Sequence, residues 1–146
     1  MKRSIFLVTS LLMIAMLFAA CAPQGETPAE SAVVEDLGSL SQALRAAGAT
    51  VDSTETIQQD FFTVEGRILK VNGADVQVFE YKSAEAMETE VALVALDGGS
   101  VGTSMMMWMA TPHFFKSGRV FVLYVGDDAA TLDLLKSVLG EQLEGR

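Results

Sequence analysis

The chain has 146 residues, half of them apolar, with 10 basic against 19 acidic groups, one histidine and one cysteine. A formal charge of −9 is repelled by phosphate backbones and anionic headgroups, which argues against nucleic acid and against direct membrane insertion of a folded domain. A single cysteine excludes an internal disulfide or a CxxC redox pair.

Residues 1–20 read as an export address and not as part of the fold. Lys2 and Arg3 give a positive start, Ile5 to Phe18 an apolar run, and Ala19 and Ala20 two small residues before Cys21. The run is short for a membrane span, and the composition changes abruptly after the cysteine. The segment Leu17, Phe18, Ala19, Ala20, Cys21 resembles the lipobox of bacterial lipoproteins, in which a peptidase cuts before a cysteine carrying diacylglycerol. Position −3 of that motif is usually Leu, whereas here it is Phe18 with Leu17 one place earlier. The resemblance implies that Cys21 is acylated and that the bilayer holds the protein on its extracytoplasmic face, in the periplasm or at the cell exterior. Cleavage would remove Lys2 and Arg3, leaving eight basic groups against 19 acidic ones, a balance of −11.

Residues 21–36 carry Pro23, Gly25, Pro28, Glu26, Glu30 and Glu35 with few bulky apolar groups, so a flexible lipidated tether is expected. About 110 residues, 37–146, remain for one domain with a real core. Ser39 with Gln42 spells a capping box for a helix from Ser39 to Ala47, stopped by Gly48. Ala49 to Thr54 is a weak strand. Phe61 to Val71 and Ala74 to Tyr81 flank Asn72-Gly73, which predicts a type I′ hairpin pairing Val71 with Ala74, Ile68 with Gln77, Gly66 with Phe79 and Val64 with Tyr81. One face then collects Phe62, Val64, Ile68, Phe79 and Tyr81, with the Phe79 ring over the bare backbone of Gly66. The other collects Glu65, Arg67 and Glu80, with Leu69, Val76 and Val78 near the turn, and Arg67 is placed to relieve the two carboxylates.

Ser83 caps a helix from Ala84 to about Leu96, with Glu85, Glu88 and Glu90 towards its favourable N-terminal half. Two apolar strands follow, Met105 to Phe115 and Arg119 to Val125. The unbroken run Val120 to Val125 suits a central strand covered on both faces. A last helix runs from Asp128 to about Leu143, with Gly140 a weak point. The pattern of hairpin, Tyr81, cap and helix recurs as hairpin, Tyr124, cap and helix, suggesting a ββα pseudo-repeat. The expected class is α+β, a mainly antiparallel sheet of four to five strands with two to three helices packed mostly on one face. Through VNGADVQVFEY and ATPHFFKSGRVFVLYVGDDA, the domain also resembles small domains of bacterial lipoproteins to which no reaction is assigned, so this resemblance implies fold and not function.

Few residues offer chemistry. Gly98 to Gly102 spell GxSxG, but a helix precedes and a strand follows, the reverse of a hydrolase nucleophile elbow. Thioether sulfur is a soft ligand that suits Cu(I) outside the cytoplasm. In a continuous strand Met105, Met107, Met109 and His113 share one side, which makes Met107, Met109 and His113 a conceivable set, against the competing reading of core packing. Trp108, Phe114 and Phe115 are candidates for contact with a partner if exposed. No phosphate loop, zinc spacing or dinucleotide fingerprint is present, so no cofactor is expected. These residues point to a non-catalytic, lipid-anchored binding or accessory module for an envelope protein or small ligand, with a Cu(I)-handling lipoprotein as the alternative.

Overall fold

The computed structural model describes residues 33–143. The segment expected to be an export signal, Cys21 and the expected tether through residue 32 lie outside the described residues. In chain order the elements are α1 (Leu37–Ala46), β1 (Val51–Ile57), β2 (Gly66–Val71), β3 (Ala74–Glu80), α2 (Ala84–Val91), β4 (Ser100–Val101), β5 (Ser104–Met105), β6 (Pro112–Ser117), β7 (Val120–Val125) and α3 (Ala129–Leu139). Five strands form one sheet in the order β1-β2-β3-β7-β6, antiparallel throughout, and β4 and β5 form a separate ribbon. The fold is therefore α+β. Among the described residues no helix is long and apolar enough to cross a membrane.

The continuous apolar run of β7 is explained by two covered faces. Val120, Val122 and Tyr124 join Val76, Val78, Leu69 and Phe115 on one side, under Leu40 and Leu44 of α1 and Leu135 of α3. Phe121 and Leu123 join Phe79, Phe114 and Phe62 on the other, under Met87 of α2, Val101 of β4 and Val94, which bridges to it. Two of the three helices among the described residues thus share a face and α2 takes the opposite one. The ββα pattern occurs twice without symmetry. Tyr81 follows the last residue of β3 whereas Tyr124 lies inside β7, and this offset puts the two tyrosines on opposite faces.

The Asn72-Gly73 turn sets the register as its chemistry requires, with φ of 50° and 90° at the two positions and pairs Val71 to Ala74, Ile68 to Gln77 and Gly66 to Phe79. A Cβ on Gly66 would lie 2.6 Å from the Phe79 ring, so the bare backbone is a packing requirement. The strand begins only at Gly66, so the Val64 to Tyr81 pair does not form, and residues 58–65 instead fold over the sheet, where Phe62 is buried. Arg67 is exposed, and Glu80 pairs with Arg119 at 2.5 Å. Edge strand β1 is longer than expected, bulged between Ser53 and Thr56, and carries Asp52 and Glu55 outward, features that blunt edge-to-edge pairing.

Helix boundaries differ from the sequence reading for local reasons. Asp36, not Ser39, caps α1, because its carboxylate accepts from Ser39 N at 2.8 Å while Ser39 Oγ accepts from Asp36 N at 2.9 Å. Those bonds from Ser39 hold the Asp36 carboxyl below its ordinary range. The domain also starts before residue 37: Val34 is buried, its carbonyl accepts from Ser117 Oγ at 2.9 Å, and Glu35 O accepts from Arg119 N at 3.0 Å. Helix α2 stops at Val91 because Val94 leaves it to bridge Val101. Helix α3 stops at Leu139, where Gly140 takes φ of 87°, and the chain turns back so that Leu143 N donates to Phe114 O at 2.7 Å along the β6 edge.

Candidate functional site

The predicted strand from Met105 to Phe115 does not form as one piece, and this creates the site. Pro112 is the first residue of β6, opposite Val125, and the last ladder bond is Gly126 N to Thr111 O at 3.0 Å. Beyond it β7 has ended and proline offers no N–H, so residues 106–111 have no strand to lie against. They run instead over the face carrying Phe114 and Phe121, continuing a small meander. Val94 pairs with Val101, and Ser100 with Met105. Ala95 N donates to Ser100 O at 2.9 Å, Gly102 N to Leu93 O at 2.8 Å and Met106 N to Gly99 O at 2.9 Å.

Val94 and Val101 face inward and are buried, so their neighbours in the meander face out. Exposure alternates from Met105 to Met109. Met106 and Trp108 pack against the aromatic core, while Met105, Met107 and Met109 are 90%, 97% and 102% exposed. Leu93 and Leu96, in the first arm of the same meander, are also exposed. Trp108 fixes the strip from beneath, its Nε1 donating to Gly98 O at 2.7 Å and its ring edge-on to Phe61 and Phe114. From Val91 to Phe115 the only charged side chain is Asp97, whose carboxylate accepts from Gly99 N at 2.8 Å. This stretch of the chain, with a single charge and exposed apolar side chains, therefore interrupts an otherwise acidic domain. Core packing accounts for Met87 and Met106 but not for the three outward methionines.

The other candidates are placed differently. Phe114 and Phe115 are fully buried on opposite faces, so neither can reach a partner, and Trp108 is half-buried. His113 is buried on the Tyr124 side of the sheet, stacked on that ring at 6.1 Å, with Nδ1 2.8 Å from Gln142 Oε1. Because that oxygen accepts, Nδ1 is the donor, and Nε2 is a buried atom without a hydrogen-bond partner among the described residues. Met106 and Trp108 pack on the opposite face, so His113 does not join Met107 and Met109. The shared parity required an unbroken strand, which Pro112 ends. Ser100 lies in the β4–β5 ribbon between a turn and a second turn, not in an elbow. Comparison with protein families, curated proteins and solved structures gives no significant match.

A second constellation carried no motif. Glu90 is 8% exposed, and its carboxylate accepts from the Tyr81 hydroxyl at 2.7 Å, from Thr63 N at 3.2 Å and from the Thr63 hydroxyl. A cleft of about 410 Å³ opens beside it, lined by Thr63, Val64, Tyr81, Lys82, Thr89 and Glu90 among others. Burial first, then the bond to Glu90 and its charge, push the Tyr81 phenol well above its ordinary value. With three donors engaged, this carboxylate clamps the 58–65 loop to α2 and is not free to act as a base. One sequence signal could have exposed it. In a helix that ends at Val91, Glu90 occupies the last turn, where the macrodipole disfavours an anion unless something else binds it.

Proposed function

We propose that the protein is a lipid-anchored, extracytoplasmic, non-catalytic binding module, held by acylated Cys21 and making contact through Leu93, Leu96, Met105, Met107 and Met109. The observation that carries this reading is the exposure of those five side chains on an acidic domain. Large apolar side chains exposed along one meander cost solubility unless something covers them, and an envelope protein or a small ligand would do so. The lipobox-like segment ending at Cys21 supports the anchor. The lone histidine is buried and engaged, and the Glu90 carboxylate is saturated, which supports a binding role over turnover.

The tagged protein, expressed with labelled palmitate, is expected to take up the label, fractionate with membranes and co-purify with its partner. Cys21→Ser should lose the label and the membrane fraction. Serine at the five outward positions should lose the partner and keep the label. Palmitate that fails to enter the native protein, or a partner retained by the five-serine variant, would contradict the proposal.

A further inference from the structure

We infer that Met105, Met107 and Met109 form a thioether site for a soft monovalent metal ion, Cu(I), with Met107 as the ligand common to its two neighbours. The inference rests on the reading of the outward strip as a binding surface and names what that surface holds. Met106 and Trp108 pack inward between the exposed Met105, Met107 and Met109, so all three thioethers leave on the outer side of the strip. Successive outward residues in an extended chain stand about 6.6 Å apart. Three rotatable bonds let two methionines at that spacing bring their sulfurs to one ion. The ends of the strip are about twice as far from each other, so either close pair contains Met107. The bonds from Trp108 Nε1 to Gly98 O and from Met106 N to Gly99 O hold the backbone in this form before any ion arrives.

The donors decide the ion. Hard divalent cations need several carboxylate or carbonyl oxygens, and Asp97, the one carboxylate between Val91 and Phe115, already accepts from Gly99 N. Among the described residues no group of three or more His, Cys, Asp or Glu could hold a metal ion. Neutral thioethers without carboxylate or imidazole select a soft, low-charge ion such as Cu(I). Leucine would serve a merely greasy surface as well, yet every outward position from 105 to 109 is methionine.

The test uses the full chain carrying Cys21→Ser, which removes the only thiol, titrated with Cu(I) under ascorbate against a competing chelator. One equivalent should bind with Kd of about 1 μM or tighter. The 13C methyl signals of Met105, Met107 and Met109 should move and that of Met87 should not. Met107→Leu keeps the apolar shape and should weaken binding by about tenfold or more, and leucine at all three positions should abolish it. Binding no tighter than the chelator competition at that level, binding that survives the triple leucine variant, or binding that requires His113 while the three methyl signals stay still would each overturn the assignment. The triple leucine variant preserves the apolar surface. Partner capture by that variant therefore reports on the contact reading separately from the metal.

Discussion

Replacing Phe121 with alanine is expected to lower the unfolding free energy by about 3–5 kcal/mol, as large aromatic truncations in closed cores do. Its ring is fully buried, stacked on Phe114 at 5.6 Å and edge-on to Phe62 at 5.4 Å. It lies on a central strand between β3 and β6, where backbone hydrogen bonds on both sides resist the shift needed to fill the void. A domain of this size has a total stability of roughly 5–15 kcal/mol, so the loss is a large share of it. Urea unfolding should show a lower midpoint with an unchanged slope. A loss below about 1 kcal/mol would mean that the site collapses freely and that this aromatic cluster is not the second core.

Removal of the Glu90 carboxylate is the other large effect. Glu90→Ala removes the acceptor of the Tyr81 hydroxyl, whose residue is 3% exposed, and frees the Thr63 amide and hydroxyl, whose residue is exposed. One stranded buried donor costs about 1–3 kcal/mol, and loosening of the 58–65 loop adds to it. The same clamp makes stability sensitive to alkali. The Tyr81 phenol is raised in the fold, so its contribution is fully present below the unfolded-chain value near pH 10 and is lost as pH rises above it, by at most about 1.4 kcal/mol per pH unit. Tyr81→Phe should remove that slope while lowering stability at neutral pH. An unchanged alkaline slope in Tyr81→Phe, measured by urea unfolding across pH 8 to 11, would contradict the clamp.

The hairpin was legible because its turn leaves little choice: Asn72-Gly73 needs positive φ twice, and that single requirement fixes the partners of every residue from Gly66 to Phe79. The doubly covered strand was legible from Val120 to Val125, since a run with no polar face has no water-facing side. Less visible were features set by where a neighbour ends. Nothing in Met105 to Thr111 states that β7 stops at Val125, so an apolar stretch with correct alternation read as strand although it had no partner. The methionines kept their parity, but the face they share is water and not core, and Pro112 separated them from His113. The Glu90 clamp was hidden because the helix was read to Leu96, which turned a carboxylate in the last turn into one near the middle.

Oxidation of the methionines tests the outward strip most directly. The Cys21→Ser chain, exposed briefly to hydrogen peroxide and mapped by mass spectrometry, should form sulfoxide fast at Met105, Met107 and Met109, slowly at Met106, and hardly at all at Met87, which is 2% exposed, while the far-ultraviolet circular dichroism stays unchanged. If Met105, Met107 and Met109 are instead as protected as Met87, or if oxidising them unfolds the domain, they belong to the core and no binding surface exists there.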